Sequence, residues 1–262
     1  MIASLALCAR KYGFLLSQLI ARDFKVKYKR SALGMLWSLL YPVLMMCVMA
    51  VVFRGVFRFS TPGVNYLAYL MTGLTLFNYF SEASNLAMSS VVANFTLLNK
   101  VYLPKYIFPL EKCLFVGINF LLTLLPLYAV ILLTGTGLCW QHLLLPFCYL
   151  CLLGFTAGMG LLLAAAAVFL RDLFYIYGIV LTIWTYLTPI MYDIRMIDSA
   201  PLAALMKLNP LYQYILFART IVLEHATPAP RQFLACALSA AAALLAGALV
   251  FRAEQDRFIY YV

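Results

Sequence analysis

Residues 22–42 read RDFKVKYKRSALGMLWSLLYP. The first half carries five cations, Arg22, Lys25, Lys27, Lys29 and Arg30, and the second half opens a long apolar run. Leu33-Gly34 joins them. Cations that abut a hydrocarbon-length segment fix the side of a membrane from which that segment starts. The fold reading of the whole chain grows outward from this orientation.

Composition agrees with a lipid environment. Hydrophobic residues make up 66% of the 262 positions and charged residues only 11%, against about 25% charged in soluble domains. The net charge of +10 is better explained by basic loops at an anionic membrane surface than by nucleic-acid binding. The seven cysteines, including the PFCYLC run at Cys148 and Cys151, lack metal-type spacing and read as buried small hydrophobes. No cleavable signal peptide is read at the N-terminus.

Upstream of the joint, residues 4–30 read as an amphipathic interfacial helix. At about 100° per residue, Lys11, Gln18, Arg22, Lys25 and Lys29 share one arc. Tyr12, Leu15, Leu16, Leu19, Ile20 and Phe24 take the other side, and Asp23 and Lys27 break the pattern. Such a helix lies in the headgroup plane with its cations toward phosphate. Downstream, six candidate spans follow at about 35–53, 64–80, 108–133, 143–169, 173–193 and 232–251, each near the ~20 residues a crossing needs. The second is short and ends polar at Asn78, Ser81 and Glu82. A cytoplasmic N-terminus places most Lys and Arg on the inside, which puts both termini in the cytoplasm. The expected fold is an all-α integral membrane protein, with residues 1–33 as tail and interfacial helix and 34–262 as a six-span domain. Gly154 and Gly158, at GxxxG spacing, read as helix packing inside the fold or across a dimer.

Several segments are candidates for function. The inside loop NFTLLNKVYLPKYIFPLEK (94–112) offers a short charged helix at about 94–106, with Tyr102 as a knob. That suits docking into a groove on a soluble partner as well as it suits a re-entry turn. Arg171-Asp172 occupies a tight inside hairpin, either as a local ion pair or as a second partner contact. Outside, 194–231 is long for a loop. Asn209-Pro210 reads as an N-cap with Pro at the first helical position, and short helices over about 196–224 could cap an exit. Trp37 and Tyr41 lie one turn apart. Tyr177, Leu181, Trp184 and Thr188 share one face of the fifth span, and Tyr175, Thr182 and Tyr186 another. Rings with hydroxyl tips suit a sugar polymer, whose C–H faces pack on rings while its hydroxyls take hydrogen bonds.

Absences narrow the chemistry. The chain has no GxxxxGK[ST] phosphate loop, HExxH or GxSxG, so ATP hydrolysis and common hydrolase mechanisms have no visible machinery. His142 and His225, in outside loops, have no obvious carboxylate partner. No metal or catalytic set is expected.

Five pieces carry a resemblance: RDFKVKYKRSALGMLWSLLYPVLMM (22–46), NKVYLPKYIFPLEK (99–112), AVFLRDL (167–173), WTYLTPIMY (184–192) and NPL (209–211). In this order they resemble the membrane permease of type 2 ATP-binding-cassette exporters. The branch is the one that exports lipid-linked O-antigen, capsule and wall teichoic acid. The extended RDFKVKYKRS form is more similar to the O-antigen and teichoic-acid permeases than to the capsule group.

The resemblance implies a homodimer in the bacterial cytoplasmic membrane, with two copies of a separate ATPase subunit that hold ATP and Mg. It implies substrate admission at Arg22, Lys25, Lys29, Arg30, Leu33 and Gly34. ATPase coupling would fall to Asn99, Lys100, Tyr102, Pro104 and Lys105, beside the second inside contact read at Arg171 and Asp172, and an outer gate to Asn209, Pro210 and Tyr212. A channel between subunits would be lined by Trp37, Tyr41, Tyr177, Trp184 and Tyr186, and its substrate would be a lipid-linked glycan or polyol-phosphate polymer. A drug or small-lipid permease and a membrane-embedded transferase are the rival readings.

Overall fold

The computed structural model describes residues 2–29, 33–34, 36–55, 65–95 and 103–261. Every regular element among them is helical. The α-helices are α1 (Ile2–Lys27), α2 (Leu36–Gly55), α3 (Tyr66–Ala93), α4 (Ile107–Leu133), α5 (Leu145–Phe169), α6 (Leu173–Leu187), α7 (Ala200–Leu208), α8 (Pro210–Val222) and α9 (Pro230–Glu254). Short 3-10 turns precede α5 at Trp140–Leu144 and follow α9 at Gln255–Tyr260.

Among the described residues, three stretches are long and apolar enough to cross a membrane: Ile107–Leu133, Trp140–Phe169 and Pro230–Phe258. Several Ser and Thr hydroxyls within the bundle are satisfied locally. Thr72, Thr75, Ser84 and Thr156 each donate to the carbonyl four residues earlier, the cheapest way to hide a hydroxyl where water is absent.

The core is built on α3, α4, α5 and α9, which pack on one another with α8 wedged among them. The tightest crossing joins α5 to α9. A Cβ on Gly158 would stand 2.2 Å from the Ala243 carbonyl carbon, and one on Gly247 would stand 2.2 Å from the Gly158 oxygen. The GxxxG pair therefore serves packing inside the subunit, where glycine alone lets two backbones touch. Gly160, on another side of α5, leaves room for Ala87 of α3 and Cys113 of α4.

Several helices depart from the expected bounds. α3 runs on to Ala93, well past the expected end near 80, and its N-cap Asn65 accepts from Leu67 N–H at 3.0 Å. α6 stops at Leu187 and not near 193. Pro189 lacks an N–H and disfavours helix in the residue before it, and Thr188 is accordingly extended. The outer pair α7 and α8 begins close to the expected positions, and α8 is buried well beyond one face. Tyr212, Tyr214, Phe217, Arg219, Thr220 and Ile221 are buried along with Leu211, Ile215, Ala218 and Val222, so α8 is enclosed on most sides.

α1 is docked, not free on a surface. Leu19 packs with Ile107 and Phe108, and Phe24 meets Phe115 edge-on at 4.8 Å. Tyr28 Oη donates to Asn119 Oδ1 at 3.3 Å. Rising numbers on both helices show α1 running alongside the first turns of α4 in the same direction.

Candidate functional site

The two charges that break the amphipathic pattern of α1 are the ones that bind it to other helices. Asp23 pairs with Lys112 of α4 and with its neighbour Arg22. Burial alone would raise the Asp23 carboxyl, but the Lys112 ammonium and the Arg22 guanidinium hold it below its ordinary value. Lys27 pairs with Glu82 of α3 at 3.0 Å and lies 5.4 Å over the Phe115 ring. Among the expected admission cations, Arg22 is thus engaged within the helix, Lys25 and Lys29 are exposed, and Arg30 lies outside the described residues. Leu33 is exposed, and Gly34 adopts a positive φ of 49° in the turn that starts α2. That φ suits glycine and strains most other residues.

Beside this seam, α1, α2, α3 and α4 enclose an open groove of about 810 Å³. α2 leans mainly on α4, which leaves the space between α2 and α3 unfilled. Trp37, Tyr41 and Met45 form the α2 wall; Met71, Thr75, Asn78, Glu82 and Asn85 form the α3 wall; Asn119, Phe120 and Thr123 close it from α4. The groove thus combines rings, amides, one carboxylate and an apolar floor. The ring pair Trp37 and Tyr41 was legible in the sequence; the amide stripe facing it was not.

The expected ring lane splits on α6. Tyr177, Leu181 and Thr188 are buried, and Tyr177 Oη donates to Ser84 Oγ at 2.7 Å inside the bundle. Tyr177 is therefore a core residue and presents no surface for a channel, because its face of α6 is the one that packs on α3. Trp184 lies half-buried on the same face, 5.1 Å edge-on from Phe80. Tyr175 and Tyr186 point the other way, 80% and 69% exposed.

The outer segment closes through one side chain. Asn209 Oδ1 accepts from Leu211 N–H at 3.1 Å and from Trp184 Nε1 at 3.0 Å, while Nδ2 donates to Thr188 Oγ1 at 2.8 Å. The expected N-cap therefore also pins the end of α6. Pro210 is the first residue of α8 and Tyr212 is buried. Sequence reasoning missed Arg219. Its buried guanidinium donates to the carbonyls of Pro189, Ile190 and Tyr69 at 2.7, 2.8 and 3.3 Å and lies 3.4 Å over the Tyr69 ring. Gly73 makes room for it, since a Cβ there would meet Nη2 at 2.8 Å.

On the expected coupling side, Lys105 Nζ donates to the Gln255 carbonyl and sits 5.5 Å over the Phe258 ring. Burial pushes the Lys105 ammonium below its usual value, against an upward pull from Asp256. Pro104 accepts from Ile107 N–H at 3.1 Å. Asn99, Lys100 and Tyr102 lie outside the described residues. Arg171 and Asp172 are both exposed, and no ion pair joins them among the described residues.

His142 and His225 do meet a partner, though not a carboxylate: Cys139 Sγ lies 3.2 Å from His142 Nδ1 and 3.4 Å from His225 Nδ1. No group of His, Cys, Asp and Glu among the described residues has the geometry of a metal centre.

A profile of ABC-2 type transporters matches residues 15–223, well over half of the chain. The chain belongs to the ABC-2 type transporter family. As an ABC-2 permease it is an integral membrane transport component and not an enzyme. It is 31% identical to an O-antigen export system permease protein of Myxococcus xanthus, over 95% of both chains. A permease of the same description from Klebsiella pneumoniae is 29% identical over 81% of this chain and 82% of its own. A capsule polysaccharide export inner-membrane protein of Haemophilus influenzae is 35% identical over only 33% of this chain and 32% of its own. The ABC-2 profile spans the α1–α4 seam, the groove and the Asn209 junction together.

Proposed function

We propose that this ABC-2 permease is the membrane subunit of an ATP-driven exporter for a lipid-linked polysaccharide or teichoic-type polymer. The carrying observation is the similarity over 95% of both chains to a permease named for O-antigen export. The subunit works as a homodimer in the bacterial cytoplasmic membrane. It crosses six times, on α2 to α6 and α9, with both termini cytoplasmic. Exposed apolar side chains on α2 (Leu44, Val48, Val51) and α6 (Ile179, Ile183, Tyr186) support a seam between two copies.

Two separate ATPase subunits bind ATP and Mg below the membrane. The exposed Lys25 and Lys29 attract the diphosphate of the carrier lipid. The glycan then meets Trp37 and Tyr41 before reaching the seam, where Tyr186 continues the lane. Trp184 braces that lane from behind through Asn209. The segment around Asn99, Lys100, Tyr102, Pro104 and Lys105 carries the ATPase stroke. Lys105 passes it to the end of α9 through its contacts with Gln255 and Phe258, and Arg171-Asp172 offers a second exposed contact.

The test is substitution of Lys100 or Tyr102 in the reconstituted permease–ATPase complex. ATP hydrolysis should continue while polymer export falls; normal export per ATP in an intact complex would overturn the assignment.

A further inference from the structure

We infer that the groove between α2 and α3 selects uncharged sugar residues, with Asn78, Glu82 and Asn85 as specificity-determining side chains and Trp37 as the stacking surface. This rests on the reading of the chain as a glycan exporter and narrows that reading to neutral glycans, against the anionic teichoic-type polymers.

The stripe on α3 is the first observation. Asn78, Glu82 and Asn85 recur at helical spacing on a helix whose other faces are buried, and all three are exposed along the groove. The side-chain amides of Asn78 and Asn85 make no hydrogen bond among the described residues. An amide left unpaired in hydrocarbon is costly, and polar side chains within membrane helices mark substrate paths. A lipid tail in the groove would leave these amides unpaired; a hydroxyl-rich ligand would satisfy them.

The opposite wall supplies the second observation. A sugar ring offers an apolar face edged by hydroxyls. Trp37 and Tyr41 match the face, while the amides match the hydroxyls as donors and acceptors and the Glu82 carboxylate matches them as an acceptor. The volume of about 810 Å³ falls in the usual range for small-ligand sites, about 300–1,000 Å³, which suits a short run of sugars.

Charge is the third. Lys27 and Glu82 are the only charged side chains lining the groove among the described residues, and they pair with each other at 3.0 Å. An acidic sugar seated in the groove would place its carboxylate beside Glu82, and the one cation among the described lining residues, Lys27, is already paired. Neutral hexoses and N-acetylhexosamines meet no such penalty.

Saturation-transfer NMR and equilibrium binding on the purified permease–ATPase complex test this. The probes are mannotriose and the N-acetylglucosamine trimer as neutral ligands and trigalacturonate as the acidic one. Each is used free and coupled to polyprenyl diphosphate. Free neutral trimers should bind at least about tenfold more tightly than trigalacturonate. Asn78→Ala and Asn85→Ala should each weaken neutral binding by roughly three- to tenfold, the worth of one hydrogen bond. Glu82→Gln should narrow the neutral–acidic gap.

Equal binding of free neutral and acidic trimers to the unsubstituted complex, which needs no variant to fold, overturns the inference. So does unchanged neutral binding in the Asn78→Ala/Asn85→Ala double variant. Binding of only the diphosphate-linked forms, regardless of sugar, also overturns it, because the groove would then read the carrier. Absence of selectivity in a complex that still exports glycan sinks the sugar filter alone. A complex that exports no glycan at all sinks the exporter reading beneath it.

Discussion

Trp184 Nε1 donates to Asn209 Oδ1 at 3.0 Å, so a ring on α6 and the N-cap of α8 hold each other in place. The same oxygen caps α8 at Leu211, and the amide nitrogen reaches Thr188. Asn209→Ala removes a cap worth about 1 kcal/mol and releases both α6 contacts at once. Increased protease sensitivity across 188–209 and reduced export are expected. Trp184→Phe loses one hydrogen bond and keeps the ring against Phe80, so it should show a smaller share of both effects.

Arg219 should prove as important to the same region. Arg219→Met leaves the carbonyls of Pro189, Ile190 and Tyr69 without their donor, at about 1–3 kcal/mol for each that stays unpaired. Thermal unfolding in detergent should shift downward. Gly73→Ala, whose Cβ would press on the guanidinium, should shift it in the same direction, while Gly178→Ala, with nothing within 4 Å, should leave it nearly unmoved.

The seam between α1 and α4 should respond to acid. Asp23 is held below its ordinary value by Lys112 and Arg22, so its contribution is complete above the usual carboxylate range. It drains away as pH falls through the depressed folded-state value. Asp23→Asn should weaken α1 docking at neutral pH, seen as faster hydrogen exchange over 12–27, and should flatten the acid dependence of that exchange.

Much of the architecture was legible because hydropathy records it directly. The order of the long helices and the Asn209-Pro210 start of α8 follow from local patterns. Even the two faces of α6 were separable by spacing. Which face turns inward was not, because it depends on what α3 presents: Ser84 takes Tyr177 into the bundle and leaves Tyr186 outside. The same holds for the groove. Asn78 and Glu82 read as the polar end of a short span, whereas they belong to the middle of a long helix whose neighbour α2 stands away from it. Arg219 gave no signal at all, because three main-chain carbonyls partner it and a carbonyl has no residue type. Asp23 and Lys27 looked like flaws in an amphipathic pattern, and each proved to be an inter-helix pair.

The α5–α9 crossing should tolerate the least. Gly158→Ala or Gly247→Ala forces backbone apart, where overpacking costs about 1–3 kcal/mol even among side chains. Both should lower the unfolding midpoint in detergent more than Gly154→Ala, whose Cβ would meet the flexible end of Leu244 at 3.2 Å.

That crossing should act as the stator of the subunit. Main chain bears on main chain at Gly158 and Gly247, so no rotamer can absorb a displacement there. Spin labels placed across α5 and α9 should therefore keep one separation through a full ATP cycle. Labels across α2 and α3, which line opposite walls of the groove, are where the swing of the machine should register.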